Sequence, residues 1–307
     1  MNPTEISRPS IKQGWLRVIL FFVVYFFALI ALAVPAGLLL GWIKSAEIAQ
    51  GEKIKTGELL SGEYLWLISL VSLLATLLVV FIFRRLVDRK SMVSLGLRFR
   101  NHLNDAGAGF FLGPAILGIG TLALYFTKHL SWNDIIFDPI DLLIGFGTMV
   151  LIAIGEELAF RGYILNNLLD SFNKWIALFI TSLLFSLFHL GNSFIGFIPL
   201  VNIFLAGILL GINYIYTRNL WFGVFLHFSW NFFQGPLLGY KVSGIGLGSL
   251  IQTELKGGPL VTGGEFGFEG SIIDLALTLI AILILFLVYE RKYSDAASMK
   301  PIVPAGA

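Results

Sequence analysis

The sequence contains no cysteine in its 307 residues, and only 13% of them are charged. The absence of cysteine excludes both a disulfide framework and any metal site with thiolate ligands. Any imidazole chemistry must use the four histidines, which are His102, His129, His189 and His227. A soluble domain has about 25% charged residues, whereas this chain is 57% hydrophobic with a mean hydropathy of +0.85. The composition therefore predicts a membrane protein.

Long apolar runs divide the chain into candidate membrane spans, each of which needs about 20 helical residues. They lie at about 17–42, 64–84, 106–127, 141–164, 175–194, 197–216, 220–238 and 271–289. The sequence thus predicts an all-α, polytopic membrane protein of about eight transmembrane helices. We expect residues 1–293 to form a single membrane domain and 294–307 to form a disordered C-terminal tail. The glycine-rich stretch 239–270 is expected to be an external excursion of low order.

Basic residues are concentrated in the segment 84–100, which contains a single acid, Asp88. Because lysine and arginine favour cytoplasmic loops, this segment is predicted to be cytoplasmic. An even number of spans then places both termini on the same side.

Three ionisable groups interrupt the apolar pattern in the stretch GEELAFRGYIL, residues 155–165. Glu157 and Arg161 are four residues apart, so they share a helix face and can form an ion pair. Glu156 lies about 100° further round the helix, and position 160, its i+4 neighbour, is Phe. The sequence therefore predicts two different roles for adjacent carboxylates, with Glu157 structural and Glu156 available for chemistry.

Two other predicted helices carry polar residues at the same spacing. Phe185 and His189 lie four apart on the fifth helix, and His227 and Asn231 lie four apart on the seventh. Their depths, counted at about 1.5 Å per residue, are compatible with that of Glu156. We therefore expect one cavity between helices 4, 5 and 7, in the cytoplasmic half of the membrane.

This residue set is suited to hydrolysis by an activated water. A carboxylate in a low-dielectric cavity can act as a general base, and Asn231 can donate hydrogen bonds to an oxyanion. The two imidazoles could either donate to an oxyanion or bind a divalent metal such as Zn, with Glu156, His189 and His227 as ligands. A structural alternative is that the polar groups only join the helices by hydrogen bonds.

The three motifs together resemble the CPBP family of intramembrane proteases, which includes the CAAX-processing endopeptidases and bacterial proteins linked to bacteriocin immunity. The family patterns Glu-Glu-x-x-x-Arg, Phe-x-x-x-His and His-x-x-x-Asn occur here in order, within about 140–235: Glu156-Glu157-x-x-x-Arg161, Phe185-x-x-x-His189 and His227-x-x-x-Asn231. The resemblance implies a protease core in this region. It also implies that Glu156 and His189 activate water and that His227 and Asn231 stabilise the oxyanion. It leaves open a metalloendopeptidase or a glutamate protease.

The predicted function is thus an intramembrane endopeptidase that acts on a peptide or lipidated protein, with prenylated CAAX-type proteins among the candidate substrates. We expect membrane lipid as the environment, the plasma membrane of a prokaryotic cell as the location, and no nucleic acid as a partner. Two other functions remain open, which are a non-catalytic scaffold or immunity protein and a proton- or cation-coupled transporter. A transporter is disfavoured because we find no inverted repeats in the sequence.

Overall fold

The computed structural model describes residues 8–49 and 62–298, and this part of the chain is built around eight principal helices. They are α1 Gly14–Ala49, α2 Gly62–Ile82, α3 Leu103–Phe126, α4 Pro139–Glu157, α5 Lys174–Phe188, α6 Phe197–Ile212, α7 Trp221–Phe232 and α8 Ile272–Ser298. Single π-helical segments extend three of them, namely Phe83–Val87 after α2, Leu158–Leu165 after α4 and Phe233–Leu237 after α7. The prediction of an all-α polytopic membrane protein is confirmed.

Six of these helices are long and apolar enough to cross a membrane, by length and composition. Helix α5, with 15 residues, and helix α7, with 12, are shorter. The predicted fifth span was drawn to 194, but α5 ends at Phe188 and His189 is its C-cap. At the other end of the chain α8 continues to Ser298, beyond the predicted start of the tail, and 299–307 lie outside the described residues.

The entry into α4 is fixed by local sequence. The Asp138 side chain accepts hydrogen bonds from the backbone N–H groups of Ile140 and Asp141, at 2.9 and 3.1 Å. Pro139 follows at the first helical position, where its fixed φ suits the helix and no N–H is lost. This cap sets the start of the helix that carries Glu156 and Glu157.

The stretch 239–270 is ordered, contrary to the expectation from its composition. It contributes strand β2, Ile251–Leu255, which pairs antiparallel with β1, Leu130–Ile135, and it contains three short helices. Phe268 is fully buried, and a Cβ on Gly120 of α3 would lie only 2.1 Å from its ring. The segment is therefore packed onto the helices at the end of the molecule opposite the basic segment 84–100, and we call it the cap segment.

The close contact between α5 and α6 depends on two glycines of α6, Gly207 and Gly211. A Cβ on Gly207 would lie 2.9 Å from Ser182 Cα, and one on Gly211 would lie 2.6 Å from Leu178 Cδ1. The Gly-x-x-x-Gly pair of α6 thus lets that helix approach α5 closely.

Candidate active site

A cavity of about 260 Å³ lies between α4, α5 and α7, as predicted, and all three motifs contribute to its wall. The motif residues that line it are Glu156, Phe185, His189, His227 and Asn231. Helices α1 and α2 supply a further wall, of leucine, isoleucine and hydroxyl-bearing side chains, that the sequence did not predict. Val242, Ser243, Ile245 and Glu269 of the cap segment also line the cavity. The cavity therefore reaches toward the cap end, and not only into the half that carries the basic segment.

Glu157 is fully buried and connects two motifs. Its Oε1 accepts a hydrogen bond from Arg161 Nη1 at 2.7 Å, which confirms the predicted i,i+4 ion pair. The same oxygen accepts a hydrogen bond from His227 Nδ1 at 3.0 Å. The sequence did not predict this second contact, which joins α4 to α7. Glu157 is thus placed to orient the His227 ring as well as to pair with the arginine.

His227 presents its second nitrogen to Glu156. With Nδ1 directed at Glu157, Nε2 lies 3.9 Å from Glu156 Oε2. That separation is too long for a direct hydrogen bond. The Glu156 Oε2 atom has no hydrogen-bond partner among the described residues, and its side chain is 28% exposed. An acceptor oxygen and an imidazole nitrogen therefore face each other across the cavity.

His189 is held by its own helix. Its Nδ1 lies 2.8 Å from the carbonyl oxygen of Phe185, one turn earlier. Since a carbonyl only accepts, Nδ1 is the donor, and in the neutral ring Nε2 keeps its lone pair. The Phe-x-x-x-His motif therefore fixes both the position and the tautomer of this histidine.

Phe185 has a second contact that explains why an aromatic ring stands there. Its ring centroid lies 4.6 Å from the Arg161 guanidinium carbon, which is a cation–π geometry. Arg161 Nη2 also donates to the Gly207 carbonyl at 3.0 Å. Arg161 thus contacts a carboxylate, a ring and a carbonyl from three helices, and this supports its predicted structural role.

Asn231 lines the same cavity and is 7% exposed. In the described part of the chain its side-chain amide makes no hydrogen bond, so both N–H donors are available to a ligand. The two remaining histidines lie elsewhere: His102 contacts Asp105, and His129 contacts Thr127.

The predicted metal site lacks a third ligand in this arrangement. Across residues 8–49 and 62–298, no three His, Asp or Glu side chains group closely enough to hold a metal ion. Glu156 and His227 approach each other, but His189 does not complete a triad with them. The residues present do not fit a three-ligand zinc site, and we derive no chemical step through a metal.

Gly223 provides the space for the Glu157 carboxylate. A Cβ at this position would lie 2.7 Å from Glu157 Oε2 and 3.1 Å from the Leu210 carbonyl oxygen. We expect Gly223→Ala to displace Glu157 and destabilise the protein by about 1–3 kcal/mol, as overpacking does. Thermal unfolding in detergent would measure the loss.

The control for Gly223→Ala is Gly147→Ala, because nothing lies within 4 Å of a Cβ at Gly147. It is expected to be neutral or slightly stabilising, since alanine is the better helix former. Equal unfolding temperatures for the two variants would contradict the conclusion that Gly223 provides space for the Glu157 carboxylate.

Comparison with known proteins identifies one segment. Residues 138–233 match the family model described as type II CAAX prenyl endopeptidase Rce1-like. The segment begins at the cap of α4 and ends just after α7, so it contains every residue of the three motifs. No curated protein matches the chain. Residues 138–233 are therefore similar to the Rce1-like endopeptidases, and the resemblance of this protein to the CPBP family of intramembrane proteases is confirmed.

Proposed function

We propose that this protein is an intramembrane endopeptidase in which Glu156 activates a water molecule for attack on a peptide bond. The observation that carries the proposal is the placement of Glu156 Oε2. This oxygen has no partner among the described residues, belongs to a side chain that lines the cavity, and lies 3.9 Å from His227 Nε2. A carboxylate in such a site can accept a proton from water.

The proposed reaction uses four residues of the cavity wall, which are Glu156, His189, His227 and Asn231. Glu156, assisted by His189, takes a proton from water while the water oxygen attacks the carbonyl carbon. The oxyanion that forms accepts hydrogen bonds from Asn231 and from Nε2–H of the His227 imidazolium. The C–N bond then breaks, and the proton held by Glu156 moves to the leaving amine.

The shape of the cavity favours a substrate with an apolar part. Its wall includes leucine and isoleucine side chains from α1, α2 and α6, among them Leu29, Leu65 and Leu209. A membrane-associated or lipidated protein fits this wall, and we include prenylated CAAX-type proteins in the proposal. We further propose that the whole chain acts as one membrane domain, in the plasma membrane of a prokaryotic cell with both termini cytoplasmic.

The proposal predicts that cleavage adds one oxygen atom from solvent to the new C-terminus. The purified protein in lipid nanodiscs would be incubated in ¹⁸O-water with farnesylated CAAX peptides, and the products would be analysed by mass spectrometry. We expect one ¹⁸O atom in the upstream product during a single turnover, because the water attacks the carbonyl carbon directly. Asn231→Ala is expected to lower the rate by about 10²- to 10³-fold, since an oxyanion donor is lost. A folded protein that cleaves neither these peptides nor membrane proteins from its host would favour the scaffold function.

A further inference from the structure

The cavity has a second carboxylate that belongs to none of the three motifs. Glu269 lines its wall from the cap segment, in a sequence context, Gly267-Phe268-Glu269-Gly270, that carries no recognisable signal. Among the described residues, no lysine or arginine lines the cavity. The ionisable groups of its wall are therefore the carboxyls of Glu156 and Glu269, the imidazoles of His189 and His227, and the Tyr25 phenol.

Glu269 is held in a specific position by Ser243. Its Oε1 accepts hydrogen bonds from the Ser243 backbone N–H and from the Ser243 hydroxyl, the latter at 2.8 Å. Ser243 has φ of +49°, a left-handed conformation that is uncommon for residues other than glycine. Strained backbone of this kind is concentrated at functional sites. Here it directs two donors at one carboxylate oxygen.

The cap segment around this pair is anchored to the helices. Asn202 of α6 donates to the carbonyl oxygens of Glu269 and Ser271, both at 2.8 Å. Asn192, which follows α5, donates to the Ser243 carbonyl at 3.2 Å. These hydrogen bonds hold the backbone around Glu269 and Ser243 in place against the helices.

Neighbouring charges leave Glu269 without a paired cation. Lys241 lies two residues before Ser243, but its ammonium group is directed to Glu265 on the outer side of the cap segment. Burial raises the pKa of the Glu269 carboxyl, while the Ser243 hydrogen bonds and the nearby His189 imidazole act in the opposite direction. A cationic ligand would supply the compensation that this half-buried carboxylate lacks.

We propose that Glu269 is a specificity-determining residue that binds a cationic side chain or amine of the substrate, at the cap end of the cavity. Its Oε1 accepts from Ser243, and the Gln234 side chain is a further hydrogen-bond partner of the carboxylate. A cationic group would add a charge-assisted hydrogen bond to these neutral contacts. The leucine and isoleucine side chains that line the cavity from α1, α2 and α6 then receive the lipid or apolar part of the same substrate, so different parts of the cavity recognise different chemistry. This inference rests on the proposed endopeptidase function and names a feature of its substrate.

Binding in a cleavage-deficient background tests the proposal. The parent is Glu156→Gln in nanodiscs, and the probes are palmitoylated fluorescent hexapeptides with lysine or norleucine at each position in turn. We expect lysine at one position to bind at least about tenfold more tightly than norleucine, as a charge-assisted hydrogen bond predicts. Adding Glu269→Gln should bring that ratio close to one and leave the norleucine affinities unchanged.

The matched control is Glu265→Gln, which makes the same change on the same segment at an outward-facing carboxylate. It should leave the ratio of lysine to norleucine affinity unchanged. Glu269→Asp keeps the charge and should also leave this ratio unchanged, and it serves as the second variant if Glu269→Gln is poorly folded. Absence of lysine preference in the parent, or an unchanged ratio after Glu269→Gln, would overturn the proposal. Cleavage by the wild type but not by Glu156→Gln is a separate measurement, so failure of the endopeptidase function is distinguishable from failure of this inference.

Discussion

Glu156→Gln is expected to lower the cleavage rate by about 10²- to 10⁴-fold, the range typical of a lost general base. Glutamine keeps the size of the side chain but cannot take a proton from water. The fold should be retained, because Glu156 Oε2 has no hydrogen-bond partner among the described residues to lose. Cleavage of a fluorogenic membrane-protein reporter would give the rate, and thermal unfolding would confirm the fold.

The adjacent carboxylate is the matched control for this experiment. Glu157→Gln removes the charge that pairs with Arg161 and orients His227. We expect it to lower the unfolding temperature, because Arg161 would be left buried without its counterion. Its rate should fall less than that of Glu156→Gln. Unchanged cleavage by Glu156→Gln would contradict the catalytic role and favour a scaffold.

Helical periodicity is the reason that much of the site could be predicted from the sequence. Residues four apart on one helix must share a face, so the Glu157–Arg161 pair followed directly from spacing. The His189 contact with the Phe185 carbonyl is also within one turn. The convergence of three helices could be predicted because their polar residues lie at compatible depths, counted along each helix, and polar groups in a membrane avoid lipid.

Contacts between distant segments could not be predicted in the same way. The hydrogen bond from His227 to Glu157 spans 70 positions, and it exists because Gly223 lets α7 approach the carboxylate. Glu269 was missed for a different reason. An acid in a glycine-rich loop is typical of a solvated surface, and only the packing of Phe268 against α3 carries it to the cavity.

The structural role of Asp88 could not be predicted from the charge pattern of the sequence. In the sequence it is a lone acid within a basic segment, where it suggests only a small reduction of positive charge. In the structure it is fully buried, with Arg17 Nη1 3.0 Å from Oδ1 and Arg84 Nη1 2.8 Å from Oδ2. Tyr163 and Asn167 complete its shell with longer contacts, each of 3.4 Å. One carboxylate therefore joins α1, the end of α2 and the end of α4.

Asp88→Asn is expected to destabilise the protein by about 3–5 kcal/mol, the range for removing one partner of a buried ion pair. Asparagine preserves the shape but leaves two buried guanidinium groups without their shared counterion. Arg17 keeps its contact with Asp170 at 2.8 Å, whereas Arg84 keeps only the hydroxyl and carbonyl of Ser94. Thermal or denaturant unfolding in detergent would measure the change. Glu254→Gln, at an exposed pair with Lys256, should change stability by less than about 1 kcal/mol.

A double-mutant cycle separates loss of the ion pair from general disruption of the fold. Arg84→Gln alone should be strongly destabilising, because Asp88 would lose its closest cation. In the Asp88→Asn background, Arg84→Gln should lower the free energy of unfolding much less, because Arg84 has already lost its counterion there. Interaction energies within such networks reach about 0.5–3 kcal/mol. If the two single losses simply add, Asp88 and Arg84 act independently, and the ion pair between them does not join the helices.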